Sequence, residues 1–204
     1  MKRTGLGLVF LLAIGMSIPR TVLAQGTGVH FGLSGGGDLP VSDQSDIYKT
    51  GWNGTALLAI NFGTAPVGLR IDGSYHEFKT KSDLDAFFVG SGRTRVIDGT
   101  LDLVIGPRGS AVEPYFLGGV GAYDLRFRGQ EINSNNAFSD NTTRFGWNAG
   151  GGIAFPMGGS NSGSRFFIEA RYTSVSTNGG RFSDSVNNKG SRFTFVPVNV
   201  GFLF

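Results

Sequence analysis

From residue 29 onward, apolar side chains recur at every second position in short bursts, and glycine, proline, asparagine and serine separate the bursts. Period-two alternation turns one face of an extended segment to an apolar medium and the other to a polar one. Read along the chain, it predicts eight strands, near 29–38, 51–62, 66–78, 93–106, 113–127, 142–156, 165–176 and 192–204. No stretch has helical periodicity. Even Ala56-Leu57-Leu58-Ala59-Ile60 lies inside a longer alternation. Two local irregularities are expected. Pro197 lacks a backbone donor and should mark a bulge in the last strand. Gly35-Gly36-Gly37 should let the upper end of the first strand fray.

The connections alternate in length. Those at 63–65, 106–112 and 156–164 are short and rich in Gly, Pro and Ser. Those at 38–50, 79–92, 128–141 and 178–191 are longer and polar. Tight turns at one end and long loops at the other predict an all-β fold, an eight-stranded antiparallel up-and-down transmembrane β-barrel. An even strand count puts both termini at the short-turn end. The aromatic residues sharpen this. Trp52 with Phe62, Tyr115 with Tyr123, Phe145 and Trp147 with Phe155, Phe166 with Tyr172, and Phe202 with Phe204 each share one face of a strand. Rings at both ends of a face with aliphatic residues between form the two girdles of a bilayer-spanning barrel, so these faces are expected outward. Val67, Leu69, Ile71 and Tyr75, and then Ile97, Leu101, Leu103 and Ile105, continue the outward face.

The opposite parity carries the charges. Arg70, Asp72, Asp98, Asp102, Asp124, Arg126, Glu169 and Arg171 are expected to form an ion-pair network in the lumen. A lipid-facing Lys or Arg costs about 2–4 kcal/mol at mid-membrane, whereas a charge inside can pair. Gly118, Gly150 and Gly152 are expected to leave room for long side chains from neighbouring strands. Eight strands enclose only enough space for side chains, so no wide pore is expected.

Composition supports a membrane barrel over a soluble domain. Charged residues are 16% of the chain, against roughly 25% in soluble domains. Glycine is 34 of 204 residues, well above its usual share of about 7%. Cysteine is absent, which excludes disulfides and thiolate metal sites, and 2 histidines exclude a multi-histidine centre. At the N-terminus, Lys2 and Arg3 precede an apolar run from Leu6 to Ile18, and Val22-Leu23-Ala24 supplies a peptidase site. This reads as a secretory signal over 1–24, cleaved before Gln25, with the barrel domain over 25–204. Removing it takes Lys2, Arg3 and Arg20 and no acid, leaving 15 basic and 15 acidic groups. The excess positive charge therefore belongs to the signal and is no argument for a nucleic-acid partner.

At the C-terminus Val196, Val198, Val200, Phe202 and Phe204 alternate back from a terminal ring. This resembles the signal by which the barrel assembly machinery recognises its clients. Pro114-Tyr115-Phe116-Leu117-Gly118-Gly119-Val120-Gly121, Phe145-Gly146-Trp147-Asn148-Ala149-Gly150-Gly151-Gly152 and Glu169-Ala170-Arg171-Tyr172 add to the likeness. Over about residues 27–204 the chain resembles the eight-stranded outer membrane β-barrel family (OmpA/OmpX-like, including opacity-type surface proteins). The resemblance implies the cell outer membrane as location. It implies outer membrane lipid and lipopolysaccharide as surroundings, a monomer, and any surface ligand held by four outer loops. The sequence ends at the last strand, so the peptidoglycan-binding domain of OmpA proper, and its cell-wall role, are not expected.

Candidate chemistry is sparse, and no enzyme, cofactor or metal site is expected. Gly32-Leu33-Ser34-Gly35-Gly36 has the spacing of a nucleophile elbow but lacks the strand-to-helix turn that motif needs. Ser74 and His76 share a face of the third strand, and a lipid acyl hydrolase would use them as nucleophile and base with Asp72 as orienter. Glu77 points to the other face. A lumenal hydrogen-bond network accounts better for these residues. Thr80 stands where a zincin motif begun at His76-Glu77 would need its second histidine, and His30 is expected as a solvated lumen residue. Asn141-Thr142-Thr143 is a sequon in form only. Arg93 and Arg95 share the outward face at the outer end of the fourth strand, where they would either snorkel or meet lipopolysaccharide phosphates. A small-solute channel is a further alternative. So is a soluble carrier with its faces reversed.

Overall fold

A computed structural model describes residues 27–42, 44–63, 65–81, 93–130, 137–157, 163–176 and 192–204, and for 27, 127–130 and 137–141 the backbone alone. The segment read as a signal lies outside the described residues, as do residues 82–92 and 177–191 of two outer loops. The strands are β1 (Thr27–Pro40), β2 (Gly51–Phe62), β3 (Val67–Lys79), β4 (Arg93–Ile105), β5 (Glu113–Gln130), β6 (Ala137–Pro156), β7 (Arg165–Ser176) and β8 (Arg192–Leu203). Each pairs antiparallel with the next, and β1 pairs with β8, so the sheet closes into a barrel. Closure satisfies the backbone donors and acceptors that an open edge would leave in lipid. A four-residue helix, α1 (Gln44–Ile47), sits in the first outer connection, where no helix was expected.

Alternation holds along the barrel. Trp52, Phe62, Leu101, Leu103, Ile105, Phe145, Trp147, Tyr172, Phe202 and Phe204 are exposed on the outer face. The rings meet across strands. Phe155 stacks on Phe166 at 6.2 Å and Phe166 meets Phe202 at 5.3 Å near the short-turn end. Trp147 meets Tyr172 at 5.6 Å and Trp52 meets Tyr75 at 5.4 Å towards the other end.

β5 departs from the expected parity. Tyr115 and Tyr123 point into the barrel, Tyr123 being 2% exposed, while Phe116 (76%) and Val120 (64%) face out. Asp124 and Arg126 therefore lie on the outer face. The register explains why. Val120 stands opposite outward Leu101, and Gly119 stands opposite Asp102. A Cβ on Gly119 would collide with the Asp102 carboxylate, so this inward position accepts only glycine. Gly118 faces the lipid side and makes no room for a neighbour. Gly152 does, because a Cβ there would strike the Tyr115 hydroxyl.

Pro197 is no bulge. The β7–β8 register runs unchanged from Arg165↔Leu203 to Ser176↔Arg192, skipping only the positions around the proline, and Pro197 pairs with Asp38 on β1. The glycines of β1 do not fray either: Gly35, Gly36 and Gly37 pair with both β2 and β8. A Cβ on Gly36 would run into the Val198 carbonyl, so glycine permits the close approach at the closing seam.

The interior is layered and less polar than alternation implied. Towards the outer end Tyr48, Phe78, Val96, Tyr123, Leu125, Val175, Phe193 and Phe195 form an apolar cap. Towards the short-turn end Leu57, Ala59, Ala154 and Phe167 pack with Tyr115 and Leu203. The ion pairs of Arg70 and Arg171 lie between.

Candidate functional site

The middle layer is an ionic cluster that spans the lumen from β3 to β7. Period two puts Arg70 beside Asp72 and Glu169 beside Arg171 on inward faces, and the register sets Asp102 opposite Arg70. Arg70 Nε contacts Asp72 Oδ1 at 2.8 Å and its Nη1 contacts Glu169 Oε2 at 2.7 Å. Arg171 reaches Glu169 through Nε at 2.5 Å, Asp102 through Nη1 at 3.1 Å, and Asp72 through Nη2. Two guanidinium groups thus hold three carboxylates. Neutral donors complete the set: Tyr115 Oη donates to Glu169 Oε2 (2.7 Å), Asn148 Nδ2 to Asp102 Oδ1 (2.8 Å) and Thr100 Oγ1 to Asp102 Oδ2 (3.0 Å). Asp102, Glu169 and Asp72 are all within 2% of full burial. Charges so deep persist only when paired and hydrogen-bonded.

Above this cluster sits His76. Its Nδ1 lies 2.9 Å from Asp38 Oδ2 and its Nε2 lies 3.0 Å from Asp98 Oδ2, and Asn53 Nδ2 donates to the other Asp38 oxygen at 2.8 Å. The ring also meets Phe195 edge-on at 5.0 Å. Between His76 and Arg171 is a polar void of about 20 Å³, walled by Thr55, Ser74, Asn148, Thr173 and Asn199. That is enough for a single water.

The expected lumen network is thus divided by the structure. Arg70, Asp72, Asp102, Glu169 and Arg171 converge. Asp98 instead belongs with His76. Asp124 and Arg126 pair with each other outside, Arg126 Nη2 reaching Asp124 Oδ2 at 2.7 Å. Asp38, Asn53, Asn148 and Tyr115 were missed. Asn53 and Asn148 carried a signal, inward parity beside a strand with inward charges (His76 on β3, Arg171 on β7), whereas Asp38 lies two strands from His76 and carried none.

The Ser74–His76–Asp72 arrangement is not assembled. Both His76 ring nitrogens face carboxylates, Ser74 Oγ accepts a hydrogen bond from Thr55 Oγ1 at 3.0 Å, and Asp72 is taken up by the two arginines. A general base needs a free ring nitrogen on the nucleophile's proton. The Ser34 hydroxyl is on β1 with strand pairing on both sides, not on a strand-to-helix turn. His30 lies at the short-turn end, its imidazole beside Gly28 and Gly163, and Arg165 pairs with Glu113 nearby at 2.9 Å.

Arg93 and Arg95 lie on the outer face of β4, as their parity implied, and both approach Glu77, at 3.7 Å and 3.1 Å. Val198, Val200, Phe202 and Phe204 are exposed on one face of β8 and its end, with Val196 in line and partly covered. Leu33 of β1 stands opposite Phe202, so this strand is also the closing seam.

The profile of the outer membrane protein beta-barrel domain matches residues 8–204. No curated protein matches the chain. Among solved structures, the chain is similar to a major outer membrane protein from Thermus thermophilus, with TM-score 0.59 and 13% identity over 87% of this chain and 98% of that one. It is also similar to Neisserial surface protein A, with TM-score 0.55 and 12% identity over 88% and 98%. Identities this low speak for the shared fold alone.

Proposed function

The chain belongs to the outer membrane protein beta-barrel domain family, and from that premise we propose that it is a non-enzymatic envelope protein with a filled, non-conducting lumen. Its role is structural or surface-interacting, adhesive or protective, exercised through four outer loops. The ionic cluster carries this reading. Arg70 and Arg171, on opposite walls, share Glu169 and Asp72, so the centre of the barrel is bridged by side chains. The apolar cap around Phe78 and Phe195 lies across the same path further out. An eight-stranded wall leaves no room to route solute around both.

The remaining parts of the proposal follow the same logic. The segment 1–24 directs export and is removed before Gln25. The outward Val196, Val198, Val200, Phe202 and Phe204 present the last strand to the assembly machinery. The barrel then stands as a monomer in outer membrane lipid, with any ligand contacting the loops. Loops on a rigid scaffold are where recognition usually resides.

The test is conductance in planar bilayers beside binding by whole cells. Wild-type protein is expected to give no unitary current steps, and removing outer loops is expected to abolish surface binding without changing the heat-modifiable gel mobility of the barrel. Regular, ion-selective steps from the wild type would overturn the filled-lumen reading.

A further inference from the structure

Three strands end in an unusual alignment. On the outer face, Glu77 of β3 stands opposite Arg95 of β4, which stands opposite Arg126 of β5. One row further out, Lys79 stands opposite Arg93, which stands opposite Arg128. Like charges placed directly across a strand pair repel, so Arg95 opposite Arg126 and Lys79 opposite Arg93 are unfavourable unless something negative lies between them. The acids present do not suffice. Glu77 takes Arg95 at 3.1 Å, Arg93 at 3.7 Å and the Tyr75 hydroxyl at 3.0 Å. Asp124 Oδ2 takes both Nε and Nη2 of Arg126. Lys79, Arg93, Arg95 and Arg126 therefore face two carboxylates with a net charge of +2. The guanidinium groups stay open on their other side: the Arg93 and Arg126 side chains are 49% and 45% exposed.

Height and shape say what the missing anion is. One row inward lie Tyr75 and Ile97, and Tyr75 packs on Trp52 in the outer aromatic girdle. Arg95 stands about 7 Å along the strand beyond the Tyr75 row, and Trp52 is in register with Glu77, so Arg95 and Arg126 stand at the outer edge of the girdle, at the level of lipid headgroups. Beneath them, outward Gly73 has nothing within 4 Å of where a Cβ would be and outward Gly99 only the Asp72 carbonyl at 3.9 Å, which leaves the backbone surface clear for an acyl chain. Among the described outward positions at the same end of the other strands, Arg192 alone is basic.

We propose that Lys79, Arg93, Arg95 and Arg126 form a binding site for the phosphate of an outer-leaflet glycolipid. Arg95 and Arg126 clamp the phosphate between β4 and β5, and Glu77 and Asp124 hold the two forks in place. Planar guanidinium groups suit phosphate oxygens, and the phosphate relieves the cross-strand repulsion. This rests on the envelope reading above, and extends it from Arg93 and Arg95 to a site spanning three strands.

The experiment uses the full barrel in nanodiscs of zwitterionic lipid, checked for folding by heat-modifiable mobility. Three probes are titrated: lipopolysaccharide, the same glycolipid stripped of its phosphates, and inorganic phosphate. Retention by native mass spectrometry and the thermal midpoint are read together. Lipopolysaccharide is expected to bind and raise the midpoint. Dephosphorylated glycolipid should bind at least about tenfold more weakly, and Arg95→Gln with Arg126→Gln should lose a similar factor. Arg192→Gln should match the wild type. If the double variant does not fold, Lys79→Gln with Arg93→Gln serves, with the same expected direction. Equal binding by wild type and variant, or by the dephosphorylated glycolipid, would overturn the site. Inorganic phosphate competing at the affinity of the glycolipid would overturn the lipid assignment. Failure of the wild type to acquire the heat-modified form would instead strike at the envelope reading, whatever glycolipid does.

Discussion

Replacing Arg171 by Met should destabilise the barrel more than any other single change in the lumen. Arg171 contacts Glu169, Asp102 and Asp72, and among the described residues only one other cation enters the cluster, Arg70, whose contacts reach Asp72 and Glu169 alone. Methionine fills much of the same volume, so loss of charge dominates over loss of packing. Three buried carboxylates then share one guanidinium group. Breaking a buried pair in this way costs about 3–5 kcal/mol, two to four decades in the folding equilibrium. Glu169→Gln is a useful contrast. It leaves two guanidinium groups against two carboxylates, and the amide oxygen can still accept from Tyr115, so the loss should be nearer about 1–3 kcal/mol. The order of the two variants is therefore fixed by counting charges. Adding Asp102→Asn to Arg171→Met should recover part of the loss, with a coupling of at least about 0.5 kcal/mol. The assay is reversible urea unfolding in lipid vesicles, followed by emission of Trp52 and Trp147 and by the gel-mobility shift. An Arg171→Met protein as stable as wild type, or more stable than Glu169→Gln, would refute the claim that the lumen is held by this cluster.

Two further outcomes check the wall. Val120 is 64% exposed on the lipid face of β5. Val120→Arg sets a guanidinium there and should cost about 2–4 kcal/mol in the same unfolding assay. Tyr115→Phe removes the hydroxyl that donates to Glu169. It should cost about 1.5–3 kcal/mol, the range for a hydrogen bond to a charged group; a neutral result would place that ring outside.

What could be read before the structure was the wall. β2 and β7 begin and end where turn residues bracket the alternation, because their two faces differ sharply in polarity. The errors fall where the faces do not differ. β5 carries rings on both parities, Tyr115 and Tyr123 against Phe116, so its own pattern has two solutions. Only the neighbour resolves it: once Leu101 and Leu103 are known to face lipid, antiparallel register sends Val120 outward and Asp102 into the space over Gly119. The aromatic cap is a similar case. Phe193 and Phe195 have the opposite parity to Phe202 and Phe204, so their inward direction was present in β8, but a rule that rings face lipid concealed it. The cluster around His76 was the least legible part. Asp38 and His76 lie on strands separated by β2, and their contact depends on side-chain reach across the curved wall. At Pro197 local propensity gave way to ladder geometry, since the missing donor is absorbed by skipped pairs without inserting a residue.

Nuclear Overhauser contacts between lipid methylene protons and individual side chains, recorded on the barrel in nanodiscs, probe directly which face of each strand meets hydrocarbon. Leu101, Val120, Trp147 and Phe202 should show strong contacts to the acyl chains, while Tyr115, Tyr123, Phe167 and Phe195 should show none. Acyl-chain contacts at Tyr123 and Phe167, with Val120 and Trp147 silent, would mean that the barrel is turned inside out relative to the orientation derived above.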